Sequence, residues 1–161
     1  MPFRPGFAPP SEASLNAAPR ALEATPFMPA LKAFIVEDSP VIRENLIAAL
    51  EELAPVHVVG TAEDEPGAVT WLASAGHACD LVIIDIFLKR GSGLGVLRAM
   101  SHLAKPMSLV VLSNYATPDM RRKCMELGAS RVFDKSNEID ELILYCARLA
   151  DGETSPGALT R

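Results

Sequence analysis

Five side chains in this sequence stand where short apolar runs end, and together they are the groups that phosphoryl transfer requires. Glu37 and Asp38 follow Phe34–Val36, Asp85 follows Leu81–Ile84, Ser113 follows Leu109–Leu112, and Lys135 lies just past Arg131–Phe133. Each is ordinary alone: an aspartate after a strand is commonly a cap or turn residue, and a lysine is commonly solvated. Brought to one rim, they have a chemistry that charge dictates. Clustered carboxylates raise one another's pKa or recruit a hard cation. Mg2+ is typically held by one or two carboxylates together with water and phosphate oxygens. A carboxylate can attack phosphorus and carry the group as an acyl phosphate. The charge on the phosphoryl oxygens then needs donors, which Lys135 and the Ser113 hydroxyl supply.

That convergence depends on the elements in between. Apolar runs at Ala33–Val36, Val56–Val59, Leu81–Ile84, Leu109–Leu112 and, more weakly, Arg131–Phe133 are mostly continuous rather than alternating. Such runs suit strands covered on both faces of a parallel sheet. Helical periodicity fills the gaps. Over 39–53, Ile42, Leu46, Ala49, Leu50 and Leu53 recur behind Ser39 as N-cap and Pro40 at the first helical position. Thr117 and Pro118 repeat that start for 117–127, where Met120, Cys124 and Leu127 line one face and Gly128 closes the helix. Over 137–150 the stripe is Ile139, Leu142, Ile143, Cys146 and Leu149, and segments 64–75 and 93–104 are the other two helices. Alternating strands and helices predict a doubly wound α/β fold. In such sheets function collects at the carboxyl ends of the strands.

Composition confines the function. Apolar residues make up 49% of the 161 and charged residues 22%, the balance of a folded domain rather than a disordered chain. A net charge of −5 argues against binding to nucleic acid or to an acidic membrane surface. No apolar run is long enough to insert across a bilayer. Pro2, Pro5, Pro9 and Pro10 interrupt the place where a signal peptide would have its apolar core. Cys79, Cys124 and Cys146 form no close pair and suit a reducing compartment, so a cytoplasmic protein is expected. Residues 1–30 hold seven of the thirteen prolines and read as a flexible leader, with a short helix near 12–24. A partner-docking role for Phe3, Phe7 or Phe27 is the alternative there, and Met28 is a conceivable start. Residues 151–161 read as a short polar tail, which leaves 31–150 as the working domain.

Four stretches now stand out together: FIVEDSPVIR (34–43), LVIIDIFLKRGSGLGVL (81–97), VVLSNYA (110–116) and VFDKS (132–136). In order and spacing they resemble the response-regulator receiver domain of bacterial two-component signalling. The resemblance implies a flavodoxin-like parallel sheet of five strands in the order 2-1-3-4-5, with five helices. It implies Asp85 as phosphoacceptor, Asp38 as a direct Mg2+ ligand, Glu37 acting on the metal through water, and the Phe87 backbone carbonyl as a further ligand. Ser113 becomes the switch hydroxyl and Lys135 the lysine that pairs with the phosphoryl group. The donor becomes a phosphohistidine on a sensor histidine kinase or phosphotransfer protein. A stand-alone receiver signals by contact with a downstream protein, through its fourth helix, fifth strand and fifth helix, or passes the group on in a phosphorelay. It is no enzyme beyond its own Mg2+-dependent phosphorylation and slow dephosphorylation.

Some positions depart from the family pattern. Val132 stands where many receivers have an aromatic, Ser136 where many have proline, and Lys89-Arg90 where the loop often carries proline. The usual coupling between hydroxyl and aromatic is therefore expected to be absent or rerouted. The resemblance implies that the positions two past Asp85 and Ser113, here Phe87 and Tyr115, influence how easily water reaches the acyl phosphate, with Asn114 as a further modulator, and two aromatics there predict slow self-dephosphorylation. The alternatives are a phosphorylation-independent scaffold and an aspartyl-phosphate phosphatase. Phe87 weakens the phosphatase, because such enzymes carry a second aspartate at that place. Gly91-Ser92-Gly93-Leu94-Gly95 reads as a flexible turn, since Val96 breaks a dinucleotide fingerprint. His57, His77 and His102 are read as non-ligands, Cys124 and Cys146 as core, and Trp71 as packed on or near the second helix. Arg121-Arg122-Lys123 is either a partner-binding run or a solvated face with Asp119 paired to Lys123.

Overall fold

Strand and helix alternate along the chain because helical stretches separate the apolar runs, four of them opening on a side-chain cap at Ser39, Asp64, Ser92 and Thr117. The computed structural model describes residues 30–152 apart from 75 and 104, so the expectations for the leader, for Met28 and for the tail beyond 152 lie outside the described residues. The strands are β1 (Leu31–Val36), β2 (Val56–Ala62), β3 (Leu81–Ile84), β4 (Ser108–Ser113) and β5 (Arg131–Asp134). The helices are α1 (Pro40–Leu53), α2 (Glu65–Ala73), α3 (Gly93–Met100), α4 (Pro118–Glu126) and α5 (Ile139–Ala150). All strand pairs are parallel, in the order β2-β1-β3-β4-β5. The order reverses at β1, which places the crevice for function at the carboxyl ends of β1 and β3.

The sheet separates two cores, and strand alternation decides which residue enters which. Phe34, Val36, Val82, Ile84, Val111 and Val132 face the side covered by α2, α3 and α4, where Leu72, Val96, Leu97 and Cys124 meet them. Ala33, Ile35, Leu81, Ile83, Val110 and Phe133 face α1 and α5, which contribute Leu46, Leu50, Leu142, Tyr145 and Cys146. Ser39 and Thr117 cap their helices as expected, their side chains accepting from the amides of Ile42 and Met120.

The structure corrects several sequence expectations. β2 runs three residues past Val59. A bulge lets Gly60 continue the ladder opposite Phe34, with the rings of Phe34 and Trp71 filling the space that a side chain would need. Trp71 is thereby sandwiched between Phe34 and His77, with ring centroids 4.3 and 4.0 Å away. α3 stops at Met100 rather than 104. Leu46 and Leu50 carry the burial of α1, whereas Ile42 and Leu53, near its ends, are exposed. As expected, Gly91-Ser92 turns into α3, which begins at Gly93. Gly91 has φ of 77°, and a side chain on Gly93 would collide with the Asp85 carbonyl.

Candidate functional site

Each rim residue is set in place by the strand beside it. The ladder continues one residue past the strands. The Glu37 amide donates to the Ala62 carbonyl at 2.9 Å, the Asp85 amide to Val36 at 3.0 Å and the Lys135 amide to Ser113 at 3.0 Å. The backbone is therefore still in register where the chemistry-bearing side chains depart. Lys135 Nζ then crosses the rim, donating to Glu37 Oε1 at 2.6 Å and to Asp85 Oδ2 at 2.9 Å. All three side chains are nearly withdrawn from solvent, with exposures of 10%, 3% and 10% for Lys135, Glu37 and Asp85. The second Glu37 oxygen accepts from the Ser39 amide at 3.0 Å, so the residue that caps α1 also orients the rim. Arg43, one turn into α1, donates to the Glu37 carbonyl at 2.9 Å.

Charges do not cancel at this rim. One ammonium faces two buried carboxylates, and Asp38 adds a third, with oxygens of Glu37, Asp38 and Asp85 all within 4.8 Å of one another. Burial pushes the Asp85 carboxyl above its ordinary pKa. The bond and charge of Lys135 oppose that rise, and the nearby Glu37 charge adds to it. For Lys135, burial alone would lower the pKa, but hydrogen bonds and charge from Glu37 and Asp85 outweigh it and hold the ammonium above its ordinary value. A net-negative set of hard oxygen donors suits a divalent cation of the Mg2+ type.

Ser113 is buried at the end of β4, next to β3, and its Oγ accepts from the Tyr115 amide at 3.1 Å. Phe87 and Tyr115 are 57% and 54% exposed and meet edge to face with centroids 5.7 Å apart, linking the loop after β3 to the loop after β4. Asn114 is exposed and borders, with Lys135, a groove of about 320 Å³ lined by Ile42, Leu46 and Ile139. Val132 is buried in the α2–α4 core, away from solvent. The histidines stand apart from the acidic cluster: His57 faces Glu51 and His77 stacks on Trp71.

Three arrangements were not legible in the sequence. The loop after Asp85 is clasped to the start of α2: Lys89 pairs with Glu63 at 2.9 Å, Arg90 with Asp64 at 2.7 Å, and the Ser92 amide donates to Glu65 at 3.0 Å. Adjacent acidic and basic runs were the signal, but nothing local said that they meet. Arg43 is a second case, since a basic residue on a helix is ordinarily solvated. Arg121 is a third. It lies half-buried, donating to the carbonyls of Ala116 and Val132 and to Glu138, so the run 121–123 is not a uniform solvated face. Asp119 pairs with Arg122 at 2.6 Å, not with Lys123, because the guanidinium reaches back one turn.

Comparison with known families matches residues 33–147 to the response regulator receiver domain. The chain is 25% identical, over 124 residues, to the probable transcriptional regulatory protein NarL of Mycobacterium tuberculosis, a match covering 75% of this chain and 56% of that protein. It thus spans about half the length of the curated relatives it matches, 56% in the Escherichia coli response regulator UvrY as well. Among solved structures, the signal receiver domain of the putative response regulator NarL from Mycobacterium tuberculosis superposes with a TM-score of 0.69 at 22% identity, covering 78% of this chain and 99% of that one. A response regulator from Burkholderia pseudomallei, described with a phosphorylated aspartic acid, calcium ion and citrate, gives 0.63 at 21% identity, covering 81% of this chain and 75% of that one. Because the matched span runs from the first strand into the last helix and takes in every rim residue, the chain belongs to the response regulator receiver domain family.

Proposed function

We propose that this chain is a phosphoryl-accepting switch of two-component signalling, with Asp85 as the acceptor. The Lys135 bridge carries the reading: one ammonium touches both Asp85 and Glu37 beside Asp38 at the carboxyl ends of the strands. An Asp85 oxygen attacks phosphorus on a phosphohistidine of a sensor histidine kinase or phosphotransfer protein. The P–N bond breaks, and the imidazole nitrogen keeps the electron pair and takes up a proton. Lys135 then pairs with the phosphoryl oxygens in place of the carboxylate oxygen, and the Ser113 hydroxyl donates a second bond. Asp38 and Asp85, Glu37 through water, and the Phe87 carbonyl would hold Mg2+, which when bound supplies positive charge for the phosphoryl oxygens. A phosphorylated aspartic acid and a calcium ion are both named for the Burkholderia pseudomallei structure of this fold, which supports the reading.

The switch works in the cytoplasm and gives its output by contact with a partner protein or by onward transfer in a relay. No helix among the described residues is long and apolar enough to cross a membrane, and the acidic net charge supports a protein partner over nucleic acid. Incubation of the chain with acetyl phosphate and Mg2+, read by intact mass, is expected to add one phosphoryl group. A chelator abolishes the addition, and Asp85→Asn protein gains none. An unmodified wild-type chain whose partner binds Asp85→Asn equally well would instead make this a phosphorylation-independent scaffold. Steady turnover of a chromogenic phosphate ester would make it a phosphatase.

A further inference from the structure

Arg121 joins three segments that flank the phosphoryl-contact residues. Its Nε donates to the Ala116 carbonyl at 2.9 Å, in the loop that follows Ser113. Its Nη1 donates to the Val132 carbonyl at 3.0 Å, on β5, and its Nη2 to Glu138 Oε1 at 3.1 Å, at the entry to α5. The same Glu138 oxygen accepts from the Asp134 amide at 2.7 Å, and the Glu138 amide donates to the Asp134 carbonyl at 2.8 Å. Asp134 immediately precedes Lys135. One guanidinium thus ties the carbonyl three residues after Ser113 to the Val132 carbonyl and to the Glu138 carboxylate that holds the amide of Asp134, the residue before Lys135. Val132 cannot serve as a side-chain lever, because its isopropyl group is packed in the core. Only its carbonyl takes part.

We propose that Arg121 is a positioning residue that couples the loop after Ser113 to β5 and the start of α5, so that phosphorylation at one end alters the other. The inference rests on the phosphoacceptor reading above. When Ser113 and Lys135 turn toward a phosphoryl group, the 114–116 segment and the 132–135 segment shift together through the guanidinium fork. Lysine cannot replace it, since a single ammonium on a flexible stem lacks the planar fork that holds three acceptors in fixed directions.

Hydrogen exchange of the full chain with and without acetyl phosphate and Mg2+, beside intact mass, tests this. In wild type, phosphorylation is expected to change exchange of the 131–142 amides by about fivefold or more, the lower range of coupling between sites. In Arg121→Gln the adduct forms as in wild type and the response near 114–116 persists, but the response at 131–142 is lost. Arg121→Lys does not restore it. Glu138→Ala, which removes one acceptor from the far end, shows the same loss and keeps the test available where Arg121→Gln fails to fold. A merely structural Arg121 would lower the melting temperature and leave the 131–142 response intact, which would overturn the coupling. So would a wild-type adduct with no response at 131–142, although that outcome leaves Asp85 as the acceptor. An absent adduct in wild type would overturn the phosphoacceptor reading and this inference with it.

Discussion

Lys135 shares one ammonium between Glu37 and Asp85, so its removal leaves two buried carboxylates facing each other without a cation. Lys135→Met is expected to destabilise the metal-free chain by about 3 kcal/mol in urea unfolding, the range for breaking a buried ion pair. Added Mg2+ should recover part of that loss. Asp85 acts with the opposite sign. Its folded pKa lies above the ordinary value of 3.8, raised first by burial, so the folded chain binds that proton more tightly than the unfolded one. Its contribution to stability is therefore full below 3.8 and is lost as pH rises through the folded value. Asp85→Asn should melt higher than wild type in metal-free buffer at neutral pH, and the difference should vanish below 3.8. A variant that melted lower at neutral pH would contradict this assignment of strain to the acceptor. Phe87 and Tyr115 give a third test: alanine at both should speed loss of the phosphoryl group about tenfold, equivalent to about 1.4 kcal/mol of barrier. Unchanged decay would show that the aromatic pair does not screen the acyl phosphate. The rim residues could be read from the sequence because each follows an apolar run. Arg121 could not, because its acceptors are carbonyls of distant segments and its neighbours Arg122 and Lys123 really are exposed.

Among the elements, helix starts and strand identities were legible where a local signal sets them. Ser39 and Thr117 each put an acceptor ahead of a proline, and both helices begin there. Thr117→Ala should cost about 1 kcal/mol in urea unfolding, the worth of an N-cap hydrogen bond. It should also loosen the 114–116 segment, since α4 starts directly beyond it. What local signals could not supply were the features set by neighbours. The bulge in β2 sets Gly60 opposite Phe34, where the rings of Phe34 and Trp71 fill the space over it, and the end of α1 lies bare because Leu46, Ile47 and Leu50 make the contacts with the core. Gly93 is a further case. Its missing side chain makes room for the Asp85 carbonyl, so Gly93→Ala should cost about 2 kcal/mol by overpacking. It should also displace the acceptor and slow phosphorylation, whereas a variant with wild-type stability and rate would show that the turn is not fitted to Asp85.

Across the whole molecule, two cores cover the faces of the sheet while the functional groups sit past the carboxyl ends of its strands, joined by ion pairs and loop hydrogen bonds. This division follows from parallel strands: apolar residues fill both faces, so polar chemistry is left to the strand ends. It made the fold and its strand order readable from apolar periodicity and the four resembling stretches, while the ties between loops depended on closure of the sheet. The rim is proposed to accept a phosphoryl group on one residue, Asp85. The most direct measurement is to phosphorylate the chain with acetyl phosphate and Mg2+, reduce the product with borohydride, and map the converted residue by peptide mass spectrometry, since an aspartyl phosphate is reduced to homoserine. Homoserine at position 85, with Asp38 and Glu37 unconverted, is the predicted result. Conversion at another carboxylate, or none in a chain whose mass had increased, would contradict it.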